Sequence, residues 1–224
     1  FKIEPGKTLA ILGRTGSGKS SIVNVLLRLY DLDQGEILVD GHNIKDLTLN
    51  SLRENISYVP QDDFLFSKTV KENIEFHYEE ELDDETIEKY AKIAGVYDDV
   101  MDFKDGFDTI LGERGVTLSG GQKQRLCIAR AILKEPKVII LDDSTSAVDT
   151  ATDAKIRKAF AEDLKNTTKI IIAQRVNSVC EADKIIVMDD GKINDIGTHD
   201  ELMERCEIYK DVYKSQQEGV GLRE

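Results

Sequence analysis

The chain has 224 residues, 40% of them hydrophobic, and a formal net charge of -13, which suits one large domain with a real core. The acidic balance argues against a nucleic-acid partner, because a nucleic-acid-binding surface normally carries a basic face. The three cysteines form no C-x-x-C pair and the apolar runs are short, so the sequence indicates neither a disulfide framework, nor a zinc site, nor a membrane helix.

The first predicted elements are a strand, a glycine-rich turn and a helix. TLAILG (Thr8–Gly13) predicts a buried strand, and apolar residues at helical spacing predict a helix over Lys19–Tyr30. The turn, GRTGSGKS, matches the phosphate-binding pattern G-x-x-x-x-G-K-[ST] in the strand-to-helix context that this pattern requires. The candidate nucleotide-binding residues of this phosphate loop are Gly13, Arg14, Thr15, Gly16, Ser17, Gly18, Lys19 and Ser20.

Each residue type in the phosphate loop has a chemical reason. Glycines let backbone N–H groups approach phosphate oxygens, and the following helix directs the positive end of its dipole at them. Lys19 can reach the β- and γ-phosphates, and Ser20 can ligate Mg²⁺. The alternative is a glycine-rich turn that holds no ligand.

Weaker strand and helix patterns follow the first helix. EILVDG (Glu36–Gly41) alternates like a strand, and ISYVP (Ile56–Pro60) predicts another one. Between them, Ser51 followed by Glu54 predicts a capping box that opens a short helix.

Helical patterns replace strand patterns from Gln61 to about Leu133. The clearest predicted helices are Asp84–Ile93 and Gly120–Leu133. This change of pattern predicts a helical insertion.

Strand patterns then return as nearly continuous apolar runs, as expected for parallel strands buried on both faces. These predicted strands are Lys137–Leu141, Lys169–Ala173 and Lys184–Met188. Asp142 ends the first of them, where a carboxylate can hold Mg²⁺ or simply start a turn.

The C-terminal part is predicted to be helical. A helix is expected over Ala151–Leu164, and Thr198 followed by Glu201 predicts a capping box. The polar residues Gln216–Glu224 are predicted to be loose.

LSGGQ (Leu118–Gln122) precedes the predicted helix KQRLCIARAIL, and at this point the chain resembles the nucleotide-binding domains of ABC transporters. This signature segment is far more specific than the phosphate loop. Further motifs of the family appear in the same order: Gln61 in YVPQ, TILGERG (Thr109–Gly115), the D-loop Ser146–Asp149, and GTHDEL (Gly197–Leu202).

The resemblance implies an α/β fold: a P-loop NTPase, specifically an ABC-type ATPase domain with an inserted helical subdomain and a β-rich edge. One nucleotide-binding domain would span 1–224, with 1–60 and 135–224 forming the α/β ATP-binding core and 61–134 forming the helical signature subdomain. The transmembrane domain of the same polypeptide is expected to lie before Phe1. The domain would work at the cytoplasmic face of the cell membrane.

The resemblance also implies ATP and Mg²⁺ as ligands in a head-to-tail dimer with a second nucleotide-binding domain. Ser20, Gln61 and Asp142 would hold the metal, and Gln61 would also contact the nucleotide. The signature residues would contact the ATP of the partner, and the loop of Asp149 would face the partner's site. These signature residues are Ser119, Gly120, Gly121 and Gln122.

Two residues depart from the family pattern at the catalytic positions. Asp143 stands where the family usually has a water-polarising Glu, and its arm is one methylene shorter. Gln174 stands where the family usually has His, and an amide can donate a hydrogen bond but cannot become cationic. Each change taken singly could be a tolerated substitution. Together they predict an ATP site that binds well and hydrolyses weakly.

This combination resembles one half of a bacterial heterodimeric ABC exporter of the multidrug type. The intact LSGGQ would complete the active site of a non-identical partner. A regulatory ATP-binding module with almost no turnover, and a soluble ABC ATPase, are the alternatives. Phe64, Leu65 and Phe66 would either face the transmembrane domain or pack the helical subdomain.

Overall fold

The computed structural model describes residues 1–112 and 118–220, with side chains up to residue 217. The chain divides into two compact units. The first contains Phe1–Ile56, Ile140–Asp142 and the residues from Thr168 onward, and the second contains Ser57–Ile139 and Asp143–Thr167. Residues 113–115 of the TILGERG segment and residues 221–224 of the predicted loose tail lie outside the described residues.

The strands of the described residues form one six-stranded sheet and one small hairpin. The sheet has the order β4-β5-β6-β1-β7-β8, and β2 pairs with β3. The strands are β1 Thr8–Gly13, β2 Leu38–Val39, β3 His42–Asn43, β4 Ile56–Val59, β5 Val138–Asp142, β6 Thr168–Ala173, β7 Lys184–Asp189 and β8 Lys192–Gly197.

Strand β1 lies between two parallel neighbours. Ala10 pairs with Ile171 of β6 on one side and with Ile185 of β7 on the other. All four residues from Leu9 to Leu12 are buried, which is the physical reason why this strand is continuously apolar rather than alternating. The predicted α/β fold with parallel strands is confirmed.

One predicted strand is shorter than expected, and one strand was not predicted. The alternating segment Glu36–Gly41 contains only the two-residue strand Leu38–Val39, which turns back into His42–Asn43. Strand β8 was missed, because it pairs antiparallel with β7 at the edge of the sheet and is mostly polar and exposed.

The helices lie mainly between β4 and β5 and at the C-terminus. No helix among the described residues is long and apolar enough to cross a bilayer. The helices are α1 Lys19–Leu26, α2 Leu49–Glu54, α3 Val70–Ile74, α4 Asp84–Ile93, α5 Tyr97–Met101, α6 Gly120–Leu133, α7 Thr150–Asp163, α8 His199–Arg205 and α9 Glu207–Val220.

Predicted helices α4 and α6 are confirmed to the residue, and so is the capping box at Thr198. The capping box predicted at Ser51 was wrong. The helix begins one turn earlier, because the Thr48 hydroxyl accepts a hydrogen bond from the Ser51 N–H. A cap pattern is local, so neighbouring Ser and Thr residues compete for it.

Helix α1 ends earlier than its apolar pattern predicted. Arg28 adopts a left-handed backbone with φ 49, and its guanidinium donates to the carbonyl oxygens of Ile44 and Leu47 at 2.8 and 2.6 Å. The helix therefore stops before Tyr30, which is exposed.

The predicted loose tail is instead part of helix α9 up to Val220. Tyr209 is fully buried in a cluster of the first unit that includes Ala173, Val176 and Leu202. Val212 and Tyr213, three and four residues later, pack against the same cluster. These contacts hold the first turns of α9 against the cluster, and the helix continues from them into the polar residues that were predicted to be loose.

The second unit has a buried polar centre between its helices. The guanidinium of Arg130 on α6 donates to the Asn73 carbonyl oxygen at 2.7 Å and to the Asn73 side chain at 2.9 Å. Asn73 on α3 in turn exchanges hydrogen bonds with the backbone of Phe66. Burial lowers the pKa of Arg130, with the nearby Cys127 opposing that shift.

Candidate functional site

The three glycines of the phosphate loop are required for two different reasons. A Cβ at Gly13 would lie 2.5 Å from Ser17 Oγ and 2.6 Å from the Met188 carbonyl oxygen, so there is no room for a side chain. Gly16 and Gly18 have φ of 82 and 93, a backbone region that other residues adopt at a cost. The loop is thus built tightly around its own backbone.

The N-terminus of α1 is open to an anion. Its N-cap is Gly18, which makes no side-chain cap, and its first turn carries no acidic residue. The first N–H groups of a helix need external acceptors, and phosphate oxygens are well suited to that position. Ser17 Oγ, which is buried, also has no hydrogen-bond partner among the described residues.

Lys19 folds back over the loop. Its Nζ donates to the carbonyl oxygens of Gly13 and Arg14 at 2.8 and 2.9 Å, and the residue is almost fully buried. Arg14 and Thr15 are exposed, as is Ser20 in the first turn of α1. A buried ammonium beside a helix N-terminus that has no side-chain cap forms a local positive site in an acidic chain.

The sheet brings Gln174 next to the phosphate loop. Leu12 of β1 pairs with Ala173 of β6 in a parallel register, so Gly13 and Gln174 both follow paired residues at the same edge of the sheet. Gln174 is exposed there. Strand β5, which ends at Asp142, neighbours β6.

The donors of the first unit suit Mg²⁺. Asp142 is buried at the end of β5, and Ser20 offers a hydroxyl. Among the described residues, no cluster of three or more His, Cys, Asp or Glu could hold a metal by itself. Mg²⁺ is usually held by one or two carboxylates together with substrate phosphates, and Asp142 and Ser20 are donors of that kind.

Asp143 follows with a left-handed backbone, φ 48, which aspartate tolerates better than most residues with a side chain. Its carbonyl oxygen accepts from the Ser146 N–H at 3.1 Å, which closes the turn. The next residue, Ser144, is buried, and its hydroxyl has no hydrogen-bond partner within the described part of the chain.

In the second unit, the signature segment forms the N-terminus of α6. The Ser119 hydroxyl accepts from the Gln122 N–H, and the Gln122 side-chain oxygen accepts from the Ser119 N–H. The Gln122 amide nitrogen donates to Asp99 at 2.9 Å. Both polar side chains of the motif are therefore engaged in shaping the helix end.

The signature glycines lie against the D-loop. A Cβ at Gly120 would lie 3.2 Å from the Ala147 Cβ, and one at Gly121 would lie 3.0 Å from the Ala147 carbonyl oxygen. A side chain at either position would therefore press on the D-loop backbone or on Ala147, which would have to shift by a few tenths of an ångström.

Sequence reasoning missed Gln124, which joins these two segments. This buried side chain accepts from the Ala147 N–H at 2.9 Å and donates to Ser146 Oγ at 3.2 Å. A glutamine among the apolar residues of a predicted core helix was the available signal, because a buried amide needs partners.

The two remaining predicted site residues also lie in the second unit. Asp149 is the N-cap of α7 and accepts from the Thr152 N–H at 3.0 Å. The hydrogen bond with the Thr152 side chain, followed by that with its backbone, lowers the pKa of Asp149. Gln61 is exposed just after β4.

Comparison with known proteins gives one consistent result. The family model described as ABC transporter matches residues 1–146. The ATP-dependent lipid A-core flippases of Escherichia coli (strain K12) and Shigella flexneri are each 45% identical over 216 residues, which is 96% of this chain and 37% of theirs. The chain thus spans little more than a third of the length of these relatives.

A solved structure agrees with these matches. A bacterial Atm1-family ABC exporter with ATP bound superimposes with a TM-score of 0.92 and 36% identity, over 96% of this chain and 38% of that one. The chain belongs to the ABC transporter family, and its fold is that of the family's ATPase domain.

Proposed function

We propose that the chain is the ATP-binding, weakly hydrolysing subunit of an exporter, and that it powers transport by ATP-driven dimerisation with a second, non-identical nucleotide-binding domain. The observation that carries this proposal is the pair Asp143 and Gln174 in a chain whose LSGGQ is intact. Both changes weaken one ATP site, while the signature segment remains able to complete another.

The phosphate loop supports the binding part of the proposal. The open N–H groups of α1 and the buried Lys19 would hold the β- and γ-phosphates. Ser20 and Asp142 would hold Mg²⁺, and Gln61 would contact the nucleotide and the metal, as its motif predicts. When bound, Mg²⁺ supplies charge neutralisation on the phosphate oxygens.

The catalytic positions support the weak hydrolysis. Asp143 would polarise the attacking water, but its carboxylate is set back by roughly one carbon–carbon bond relative to Glu, and a misplacement of about 1 Å can cost on the order of 10²-fold in rate. Gln174 would donate a hydrogen bond to the γ-phosphate without adding positive charge.

The second unit supports the role at the partner's site. Ser119, Gly120 and Gly121 form a capped helix N-terminus held against the D-loop, which suits an anion brought by another subunit. Gln122 would shape this end rather than bind phosphate, and the loop before Asp149 would face the same ATP.

An exposed aromatic cluster supports docking to the transmembrane domain of the same polypeptide, at the cytoplasmic face of the membrane. Phe66 stacks on Phe76 with ring centroids 4.2 Å apart, and Phe64 packs edge-on against Phe66 at 4.8 Å. Phe64 and Phe76 are 49% and 43% exposed. Leu65 is buried, so the segment also packs its own unit.

The experiment is an ATPase assay on the assembled full-length transporter with one change at a time. Asp143→Asn should reduce turnover by less than about twofold, because little hydrolysis occurs at this chain's own site. Ser119→Asp should reduce turnover by on the order of 10²-fold, because it keeps the helix cap but places a negative charge against the partner's γ-phosphate. Ser119→Asn is the neutral control that also keeps the cap.

The decisive comparison is with the corresponding Glu of the partner. If Asp143→Asn lowers turnover as much as removal of that Glu does, the proposal that the two ATP sites are unequal is wrong. If neither Asp143→Asn nor Ser119→Asp changes turnover, the chain is a regulatory module instead.

A further inference from the structure

The loop that carries Gln174 is tied to the C-terminal helix by one side chain. Gln216 on α9 donates from its amide nitrogen to the Gln174 carbonyl oxygen at 2.7 Å. Its amide oxygen accepts from the Val176 N–H at 2.9 Å. One planar amide thus holds the backbone on both sides of Arg175, as a neighbouring β-strand would.

Helix α9 can act as a fixed support for this contact. Tyr209, Val212, Tyr213 and Gln216 follow the spacing i, i+3, i+4 and i+7, which places them on one helix face. Tyr209 is fully buried, and its hydroxyl lies 2.9 Å from His199 Nδ1. The first turns of α9 are therefore anchored, and Gln216 extends from an anchored face.

The other side of the contact is fixed as well. Ala173, at the end of β6, and Val176 are both buried in the cluster against which α9 packs. Gln174 and Arg175 between them are exposed. The amide of Gln216 thus acts on a short exposed segment whose two ends are already held by burial.

We infer that Gln216 is a positioning residue for Gln174: it sets the backbone from which Gln174 reaches the ATP, and so couples helix α9 to nucleotide turnover. This inference rests on the proposed role of Gln174. Gln216 does not touch the nucleotide and acts only through the loop. A displacement of α9 would move the Gln174 carbonyl and with it the side chain that contacts the γ-phosphate.

The chain provides a matched control in the adjacent Gln217, which is exposed on the same helix. In the full-length protein, Gln216→Leu removes both hydrogen bonds and keeps the side-chain volume, and Gln217→Leu changes only the surface. All kcat values in this experiment are measured in the assembled transporter whose partner lacks its catalytic Glu, so that the remaining turnover comes from this chain's own site. In that background Gln216→Leu should lower kcat for ATP by several-fold to about tenfold. KM and the thermal midpoint should stay close to those of Gln217→Leu.

Two readouts separate positioning from a merely structural role. Hydrogen exchange at the Val176 amide should become faster in Gln216→Leu and not in Gln217→Leu. In the double variant with Gln174→Ala, Gln216→Leu should cost almost nothing further, because the side chain that it positions is absent.

A third variant provides a conditional rescue. Gln216→Glu is ionised near neutral pH and places a carboxylate against the Gln174 carbonyl oxygen, so its kcat should fall. A protonated carboxyl again offers one donor and one acceptor, so its kcat relative to wild type should recover as the pH is lowered towards about 5.

Opposite results identify which idea fails. If Gln174→Ala lowers kcat but Gln216→Leu behaves like Gln217→Leu in kcat and in Val176 exchange, the inference is overturned and the proposed function stands. If Gln174→Ala itself leaves kcat and KM unchanged, the proposed role of Gln174 fails, and the inference fails with it.

Discussion

At the residue scale, glycines serve two parts of the molecule through different constraints. In the phosphate loop, Gly16 and Gly18 are needed for their positive φ, and Gly13 for lack of space. In the signature segment, a Cβ at Gly120 or Gly121 would lie only 3.2 or 3.0 Å from Ala147, so glycine gives the closest fit to the D-loop. The same residue type therefore reports backbone conformation in one motif and close packing in the other.

Asp63, two residues after Gln61, is a carboxyl group whose partial burial disfavours its charged form. One of its carboxylate oxygens is buried and has no hydrogen-bond partner in the described part of the chain. Burial raises the pKa of Asp63 to about 7; Lys123 opposes this shift and Asp62 adds to it. The buried Cys127 thiol lies close enough for Asp63 to help raise its pKa.

Asp63 should make stability depend on pH. Its pKa is raised on folding from 3.8 to about 7, so between these values the folded chain binds more protons than the unfolded chain, and the stability falls as the pH rises. Asp63→Asn removes this loss of stability at higher pH, because an amide does not ionise. Its thermal midpoint should equal that of wild type near pH 4 and exceed it by a few degrees at pH 8.

Thermal melts across this pH range check the prediction, with the exposed neighbour variant Asp62→Asn as control. A difference between Asp63→Asn and wild type that does not change with pH would contradict it.

At the element scale, Gln124 joins helix α6 to the D-loop. Both of its hydrogen bonds reach residues 146 and 147, 22 and 23 positions along the chain. The signature segment and the D-loop would therefore move as one body at the partner's ATP.

Gln124→Leu should destabilise the domain by about 1–3 kcal/mol, since it removes two part-buried hydrogen bonds, with the Ala147 N–H and with the Ser146 hydroxyl. The signature glycines should also lose their support, so ATPase activity of the assembled transporter should fall further than the loss of stability explains. Urea denaturation and turnover measured below the unfolding transition check both effects, with the exposed Gln217→Leu as control. Unchanged turnover in a folded Gln124→Leu protein would show that the signature segment works without the hydrogen bonds from Gln124 to the D-loop.

At the scale of the whole molecule, nucleotide binding should appear as added stability. ATP at about 100 times its Kd contributes about 2.7 kcal/mol, which corresponds to roughly 5–10 °C in Tm for a domain of this size. Lys19→Ala should abolish most of this shift, because the buried ammonium of the phosphate loop is lost, whereas the exposed Lys165→Ala should keep it. Removal of Mg²⁺ with EDTA should reduce the shift in wild type. An equal shift in Lys19→Ala would place the nucleotide elsewhere.

Much of the architecture was predictable because the signals were local. Continuous apolar runs predicted β1, β5, β6 and β7, because these strands are buried on both faces. Apolar residues at helical spacing predicted α4 and α6, because these helices are buried on one face. The failures had non-local causes. Strand β8 depends on pairing with β7, and the local pattern of α2 did not decide between a cap at Thr48 and a cap at Ser51.

The sequence by itself determined the family, the phosphate loop, the strand-end Asp142 and the unusual pair Asp143 and Gln174, because these depend on residue identity at fixed local spacing. Only the tertiary structure showed what holds the motifs. Gln124 reaches the D-loop and Gln216 reaches the loop of Gln174 across 22 and 42 positions of the chain. The local pattern marks Gln124 only as a buried amide that needs partners, and Gln216 in a polar helix looks solvated. Neither pattern says which backbone the side chain reaches, because the fold alone brings that backbone to it.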